Sequence, residues 1–355
     1  MNRAAVERIA RAVLYEGYML YPYRPSAVKN QQRFNFGVVY PRSYSEAQEG
    51  SDPWIMQTEC LLRGSPQTAI EVHLRFLQLS ARAVEERIAP SLDPKGVNGP
   101  VFVPVRSLEI NGQQKFYSWE EAVERELNVP ENDVEMLVRR PLQQPFSLPA
   151  NQTTEPLPEN GGRIVGRLVR TQKAIDGAIY VAVHPVVEGV WRIVVRVKNV
   201  TLLSDAKRTC REDALMQSLV SAHLLLGVQG GEFVSLLDPP EALRHLAVQC
   251  RSVGAFPVLV GEEGQRDTML SSPIILYDYP QIAPESAGDL FDGTEIDEIL
   301  SLRIMTMTDD EKLEMRQSDE RARRMLERTE TLPIEQLMKL HGVLRGLRSV
   351  KGEPQ

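Results

Sequence analysis

The stretch "AIEVHLRFLQL", residues 69–79, carries the clearest structural pattern in this chain. Its apolar residues take every second position and alternate with charged or polar ones: Ile70, Val72, Leu74 and Phe76 against Glu71, His73 and Arg75. Because successive side chains of a strand point to opposite faces, this alternation predicts a strand that is buried on one face. Other strand-like runs precede it, at 33–41 and 54–63. We therefore expect the fold to be built around a sheet.

Short turns join the other predicted strands. Asn111-Gly112 separates two strand-like runs and is a strong hairpin signal. Asp176-Gly177 and Glu188-Gly189 join three β-branched runs into a predicted meander, and we interpret Gly230-Gly231 as a further hairpin turn. Since strands follow strands across short turns, antiparallel sheets are expected.

Two segments carry the signature of a helix start. In "SWEEAVERELNV", residues 118–129, Ser118 and Glu121 form a capping box that predicts a short helix. Thr308 and Glu311 form a second capping box in the C-terminal part, where the pattern from about residue 293 onward is helical. We expect a helical extension at this end of the chain.

A proline-rich segment divides the sequence. It contains five prolines and ends in two glycines: Pro141, Pro145, Pro149, Pro156, Pro158, Gly161 and Gly162. Proline cannot donate a backbone hydrogen bond, so this segment is not expected to form a helix or an inner strand. The predicted organisation is an N-terminal α+β unit at 1–140, a linker at 141–162, a meander-containing α+β unit at 163–288 and a helical extension at 289–355. The predicted fold class is α+β, with two sheet-rich, mainly antiparallel units.

Composition excludes several classes of function. The 355 residues carry 41 basic and 48 acidic side chains, a formal charge of −7, which argues against nucleic-acid binding. The three cysteines, Cys60, Cys210 and Cys250, are widely separated, which fits reduced thiols and excludes a four-cysteine metal site. The sequence predicts no signal peptide and no membrane span, so a cytoplasmic location is expected.

No pattern of metal ligands is complete. In "DLFDGTEIDE", residues 289–298, a calcium loop would align Gly288, Leu290 and Asp292 as ligands before Gly293, and the first two cannot serve. His245 and Cys250 lie five residues apart, which places them on different faces of a helix. Cys250, His245, Asp289 and Asp292 are thus only weak metal candidates. We expect no bound metal and no cofactor.

A tyrosine-rich segment near the N-terminus is the most unusual part of the sequence. It combines four tyrosines with two basic residues: Tyr15, Tyr18, Tyr21, Tyr23, Arg24 and Lys29. These side chains suit packing against a sheet, and Tyr and Arg are also enriched in protein interfaces. Stacking of nucleic-acid bases is the third interpretation, which the acidic composition disfavours.

Two long strings of the sequence resemble a known group. "VLYEGYMLYPYRPSAVKN" at 13–30 and the segment from Cys250 to Leu300 are similar to an uncharacterised bacterial family associated with gene clusters for [NiFe] hydrogenases of the high-affinity aerobic type. The similarity runs over most of the chain. It implies a cellular context but no catalytic residues. The paired cysteine motifs of hydrogenase subunits and the P-loop of a nucleotide-driven metal insertase are both missing from this sequence.

The first functional hypothesis is an accessory protein for [NiFe]-hydrogenase maturation that is non-catalytic and binds a hydrogenase subunit or a maturation factor. The tyrosine-rich segment and the helical tail would be its docking surfaces. The second hypothesis is an enzyme or metal chaperone whose site lies where "YDYPQIAPES" (277–286, with Asp278 and Tyr279) and "DLFDG" meet Cys250. A third is a small-molecule or nucleic-acid binder that uses the tyrosines.

Overall fold

The computed structural model describes residues 6–7, 9–11, 14, 35–88, 100–112, 114–281, 304–318 and 320–331. These residues form one large antiparallel sheet of 11 strands and a separate two-stranded sheet. The protein is therefore sheet-rich and antiparallel, as predicted. Its class is mostly β, which corrects the expected α+β class.

Thirteen strands run in chain order. They are β1 (Ile55–Ile88), β2 (Val101–Val105), β3 (Ser107–Ile110), β4 (Gln114–Tyr117), β5 (Trp119–Asp133), β6 (Leu142–Leu148), β7 (Asn151–Pro158), β8 (Ile164–Gln172), β9 (Ile175–Val187), β10 (Val190–Asn199), β11 (Val220–Val234), β12 (Phe256–Leu259) and β13 (Thr268–Ser272). The helices are α1 (Arg42–Ala47), α2 (Val134–Arg139), α3 (Arg211–Leu215), α4 (Arg244–Ala247), α5 (Asp309–Ser318) and α6 (Glu320–Thr331), with a 3-10 turn at Glu241–Leu243.

Strand β1 is the central element of the sheet. It is 34 residues long and contains both the 69–79 stretch and most of the run at 54–63; between the two, its pairing with β11 is irregular from Gly64 to Ala69. β5 and β11 pair with the same residues around Leu74, so they lie on opposite edges of β1. By the same reasoning, β10, β5 and β2 follow one another along one edge, and β11 and β8 lie along the other.

The two faces of β1 contact different hydrophobic clusters. Its even-numbered apolar residues, including Ile70 and Phe76, face the largest cluster together with β9, β10, β11 and helix α2. The rings of Phe76 and of Phe146 in β6 lie 6.4 Å apart between centroids, so the sheet curls around this cluster. Leu77 and Leu79 face a second cluster, which includes Met315 of α5 and Leu326 of α6. The alternation predicted for 69–79 is confirmed.

The segment predicted to be a helix at 118–129 is instead strand β5. Residues Trp119–Asp133 pair with β1 from Arg82 back to Ala69. The Ser118 hydroxyl does not cap a helix; it donates to the carbonyl of Val105 at 2.7 Å and accepts from the amide of Val84 at 2.9 Å. Pairing with the long strand β1 thus outweighs the local helix signal. A local motif cannot reveal this, since strand formation depends on partners elsewhere in the chain.

Gly230-Gly231 is not a hairpin turn. β11 continues through both glycines without reversing, opposite the register shift of β1 between Gly64 and Ala69. A Cβ atom on Gly231 would lie 2.7 Å from the carbonyl oxygen of Arg63, so glycine is needed for close approach of the two backbones. Thr68 supports this close approach by donating its hydroxyl proton to the Gly230 carbonyl at 2.9 Å.

The proline-rich segment at 141–162 is not a linker, since it contains β6 and β7 of the main sheet. Each of these strands pairs with one neighbour, β9 and β8 respectively, and both lie at sheet edges, where proline is tolerated. The sheet also spans the predicted boundary. Strand β1 pairs with β5, which precedes the segment 141–162 in the sequence, and with β8, β10 and β11, which follow it. The two predicted sheet-rich units therefore share one sheet.

Two local predictions are confirmed. Asn111 and Gly112 have φ angles of 56° and 66° and join β3 to β4, as expected for a tight hairpin turn. Thr308 and Glu311 form the predicted capping box: the Thr308 amide donates to the Glu311 carboxylate at 2.8 Å, and the Glu311 amide donates to the Thr308 hydroxyl at 3.3 Å. The described part of the C-terminal region, 304–318 and 320–331, is largely helical. None of the helices described has the length and apolarity needed to cross a membrane.

Candidate functional site

Several residues predicted to form sites lie outside the described part of the chain. They are Tyr15, Tyr18, Tyr21, Tyr23, Arg24, Lys29, Asp289 and Asp292. Their roles in docking or in metal binding stay predictions. Asp278, Tyr279, Cys250 and His245 are described, and their surroundings can be compared with the roles expected of them.

Asp278 and Tyr279 fasten the segment after β13 to strand β12. The Asp278 carboxylate accepts from the Ser235 hydroxyl at 2.5 Å and from the Leu259 amide at 2.8 Å. Tyr279 has a φ of 57°, and its amide donates to the Leu259 carbonyl at 2.7 Å. Both carboxylate oxygens therefore serve the fold, and the Tyr279 ring packs against the main hydrophobic cluster.

Among the described residues, Cys250 and His245 are not grouped with other ligands as a metal site, and the Cys250 thiol donates to the Leu246 carbonyl at 3.8 Å. Cys250 is half-buried, and burial raises the pKa of its thiol to about 11 even though Arg192 acts in the opposite direction. The thiol is therefore protonated at neutral pH, whereas the thiolate is the form that binds metals. His245 is exposed on α4. Across the described ranges, no three His, Cys, Asp or Glu side chains are grouped as metal ligands.

A pocket forms instead between the segment 35–40, the start of β1, and residues next to β12 and β13. Its volume is about 230 Å³. The lining residues come from five separate parts of the chain: Asn35, Gly37, Val38, Val39, Tyr40, Asp52, Pro53, Ile55, Met56, Arg211, Gly254, Phe256 and Pro273. We call this space the Tyr40 pocket.

Backbone hydrogen bonds hold the wall that carries Tyr40. The Tyr40 amide donates to the carbonyl of Pro53 at 2.9 Å, and the amide of the preceding Val39 donates to the carbonyl of Leu219 at 2.9 Å. The buried Asn199 side chain also donates to the Val39 carbonyl at 2.9 Å. Gly37 has a φ of 55°, and a Cβ atom there would lie 2.5 Å from the ring of Pro273, so only glycine allows the two walls to approach this closely.

Three polar side chains meet at one side of the Tyr40 pocket. Nε of Arg211 donates to the hydroxyl of Tyr40 at 2.9 Å, and its Nη2 donates to Asp52 at 3.4 Å. The guanidinium also lies over the Tyr40 ring, 5.8 Å from its centroid. These contacts fix the orientation of an arginine that would otherwise be free to move at the surface.

The charges at this site balance. Burial raises the pKa of Tyr40, while the hydrogen bond from Arg211 opposes that rise, so the phenol keeps its proton at physiological pH. The hydrogen bond to Tyr40 raises the pKa of Arg211, against the opposing effect of burial. The guanidinium is therefore charged and faces one carboxylate, that of Asp52. The site suits recognition of an uncharged group.

Exposed apolar side chains lie on two of the segments that line the Tyr40 pocket and on the chain that continues from a third. Phe256, which lines it, is 44% exposed, and Phe36, between Asn35 and Gly37, is 36% exposed. The segment that continues from Pro273 exposes 75% of Ile275 and 86% of Tyr277, whereas Leu276 between them is buried. We call these four residues the apolar rim. Exposed aromatic and aliphatic groups around a small pocket are typical of a surface that binds another protein.

The sequence analysis did not identify this pocket. Tyr40 and Arg211 are separated by 171 positions, and Asp52 and Arg211 by 159, so no local motif connects them. The only signal was Gly37 inside a strand-like run, since a glycine there often marks close approach of another backbone.

The comparisons with known proteins give no family for this chain. Profiles of known protein families produce no match to it. A comparison with curated proteins also produces no match.

Proposed function

We propose that this protein is a non-catalytic binding protein that holds a partner protein at the Tyr40 pocket and the apolar rim. The observation that carries the proposal is the exposure of Ile275 and Tyr277, two and four residues after the pocket-lining Pro273, together with a pocket whose polar groups are already oriented. Interfaces gain most of their free energy from a few aromatic or aliphatic anchors that enter such pockets. Shielding the rim from water would contribute further, at about 25 cal/mol for each Å² of apolar surface.

We further propose that the partner is a subunit or a maturation factor of a [NiFe] hydrogenase and that the two meet in the cytoplasm. The support for the partner is the resemblance of 13–30 and 250–300 to the family associated with those gene clusters. The support for the location is that Cys60, Cys210 and Cys250 are all free thiols, which fits a reducing compartment. The 250–300 block includes Phe256, Ile275 and Tyr277, so the resemblance and the candidate surface overlap in sequence.

Site-specific photo-crosslinking tests the proposal. A benzoylphenylalanine residue at position 277 should crosslink the full-length protein to a purified hydrogenase subunit or maturation factor encoded in a [NiFe]-hydrogenase gene cluster. The matched control is the same probe at Met136, which is 54% exposed on α2 and does not line the pocket. Equal crosslinking from both positions, or none from 277 to any of these proteins, would contradict the proposal.

A further inference from the structure

We infer that the Tyr40 pocket binds an apolar side chain together with the uncharged amide beside it, as an internal residue of an extended peptide presents them. The inference rests on the proposed docking function and specifies which part of the partner enters the pocket. It concerns the chemistry of the bound group and not the identity of the partner.

The size and walls of the pocket favour one side chain. Its volume of about 230 Å³ is below the range of roughly 300–1,000 Å³ that is usual for drug-sized ligands. Val38, Ile55, Phe256 and Pro273 provide apolar walls. A leucine- or phenylalanine-sized group would exclude water from these walls, which is the behaviour of an interface anchor.

Two polar atoms at the pocket are suited to an amide. The side-chain oxygen of Asn35 is buried and has no hydrogen-bond partner among the residues that the structure describes, so it lacks a donor there. The Tyr40 hydroxyl, on a residue only 2% exposed, accepts from Arg211 and retains its own proton for donation. A peptide group offers both an N–H for Asn35 and a carbonyl for Tyr40. Because a buried acceptor without a donor destabilises the free protein, a ligand that supplies the donor is favoured.

The charges favour an uncharged ligand over a charged one. A free carboxylate would be attracted by Arg211 and repelled by Asp52, and a free ammonium would experience the reverse. Either ion would also lose hydration on entering apolar walls without a dedicated counter-charge. An internal peptide group has no such penalty, which distinguishes it from a chain terminus.

Three small probes test this inference on the full-length protein. N-acetyl-leucinamide carries amides at both ends, N-acetyl-leucine ends in a carboxylate, and leucinamide begins with an ammonium. Binding is measured by ligand-observed NMR titration into the millimolar range, which is the affinity expected for ligands of this size. We expect the uncharged probe to bind at least about tenfold more tightly than either charged one, which corresponds to about 1.4 kcal/mol.

Substitutions of pocket residues test whether N-acetyl-leucinamide binds in the Tyr40 pocket. Tyr40→Phe keeps the ring and removes the hydroxyl, and it should weaken N-acetyl-leucinamide about fivefold or more, as loss of one hydrogen bond does. Tyr44→Phe is the control, because Tyr44 is buried against the Tyr40 ring but does not line the pocket. Circular dichroism verifies that both variants fold, and Asn35→Leu gives the same test from the acceptor side if Tyr40→Phe unfolds.

The outcomes separate this inference from the docking proposal. Equal or tighter binding of a charged probe, no binding of N-acetyl-leucinamide, or no effect of either pocket substitution would overturn the inference. If the crosslink from position 277 is nevertheless found, docking stands and only the occupant of the pocket is wrong. If neither is observed, both proposals fail.

Discussion

Replacing the buried His223 by phenylalanine should remove a loss of stability that the protein suffers as the pH falls from 7.5 to 5. His223 lies in β11 and has no exposed surface. Its Nδ1 lies 3.1 Å from the Ser221 carbonyl, and its Nε2 is buried with no hydrogen-bond partner within the described part of the chain. Burial lowers the pKa of His223 from 6.5 to about 4; the Ser221 carbonyl and Glu7 oppose this effect, and Arg75 adds to it.

The direction and size of the effect follow from proton linkage. Between pH 6.5 and 4 the unfolded chain binds a proton at this position and the folded chain does not, so stability falls as the pH is lowered. The difference between a pKa of 6.5 and one of about 4 corresponds to a total of roughly 3 kcal/mol. Of this, about 2 kcal/mol is lost between pH 7.5 and pH 5.

The assay is urea unfolding of the wild type, His223→Phe and His245→Gln at pH 7.5, 6 and 5. The free energy of unfolding of the wild type relative to His223→Phe should fall by about 2 kcal/mol across this range. His245 is exposed, so His245→Gln should follow the wild type. A difference between wild type and His223→Phe that stays constant with pH would show that the histidine titrates normally when folded and would refute the reasoning.

Three further predictions concern the sheet and the thiols. Gly231→Ala should lower the free energy of unfolding by roughly 1–3 kcal/mol in urea titrations, because the added Cβ would lie 2.7 Å from a carbonyl oxygen of β1. An unchanged urea midpoint would contradict the close approach of β1 and β11. Asp278→Asn should lower the free energy of unfolding by roughly 1–3 kcal/mol, since an acceptor for two hydrogen bonds is replaced. An unchanged midpoint in a thermal melt would show that the carboxylate does not stabilise the attachment of this segment to β12. With a thiol reagent at pH 8, the exposed Cys210 should react first, the half-buried Cys250 next and the buried Cys60 last; a different order of labelling by mass spectrometry would show that these burials are wrong.

The features predicted correctly from sequence are those encoded by neighbouring residues. The alternation in 69–79 required no knowledge of partners, because the period of two is a property of the strand itself. The turn at Asn111-Gly112 and the capping box at Thr308 are likewise complete within four residues. In each case the observed geometry uses the side chains that carried the prediction.

The features missed depend on residues far apart in the chain. A local reading of 118–129 favours a helix, but its backbone pairs with β1 some 50 positions earlier. Gly230-Gly231 has the composition of a turn, but Gly231 instead allows the backbones of the paired strands β1 and β11 to approach closely. The Tyr40 pocket could not be predicted for the same reason. Its three polar side chains, those of Tyr40, Asp52 and Arg211, come together only after the sheet has formed.

The length of β1 has a consequence for how the protein is made. Its five partner strands end at positions between Val105 and Val234, so β1 leaves the ribosome well before most of the chain that must cover it. Pairings between such distant positions make folding slow, and an unpaired strand of this length is prone to aggregate. The nascent chain should therefore depend on chaperones until β11 emerges, and brief arrest of translation before that point should leave a product that is insoluble or rapidly degraded.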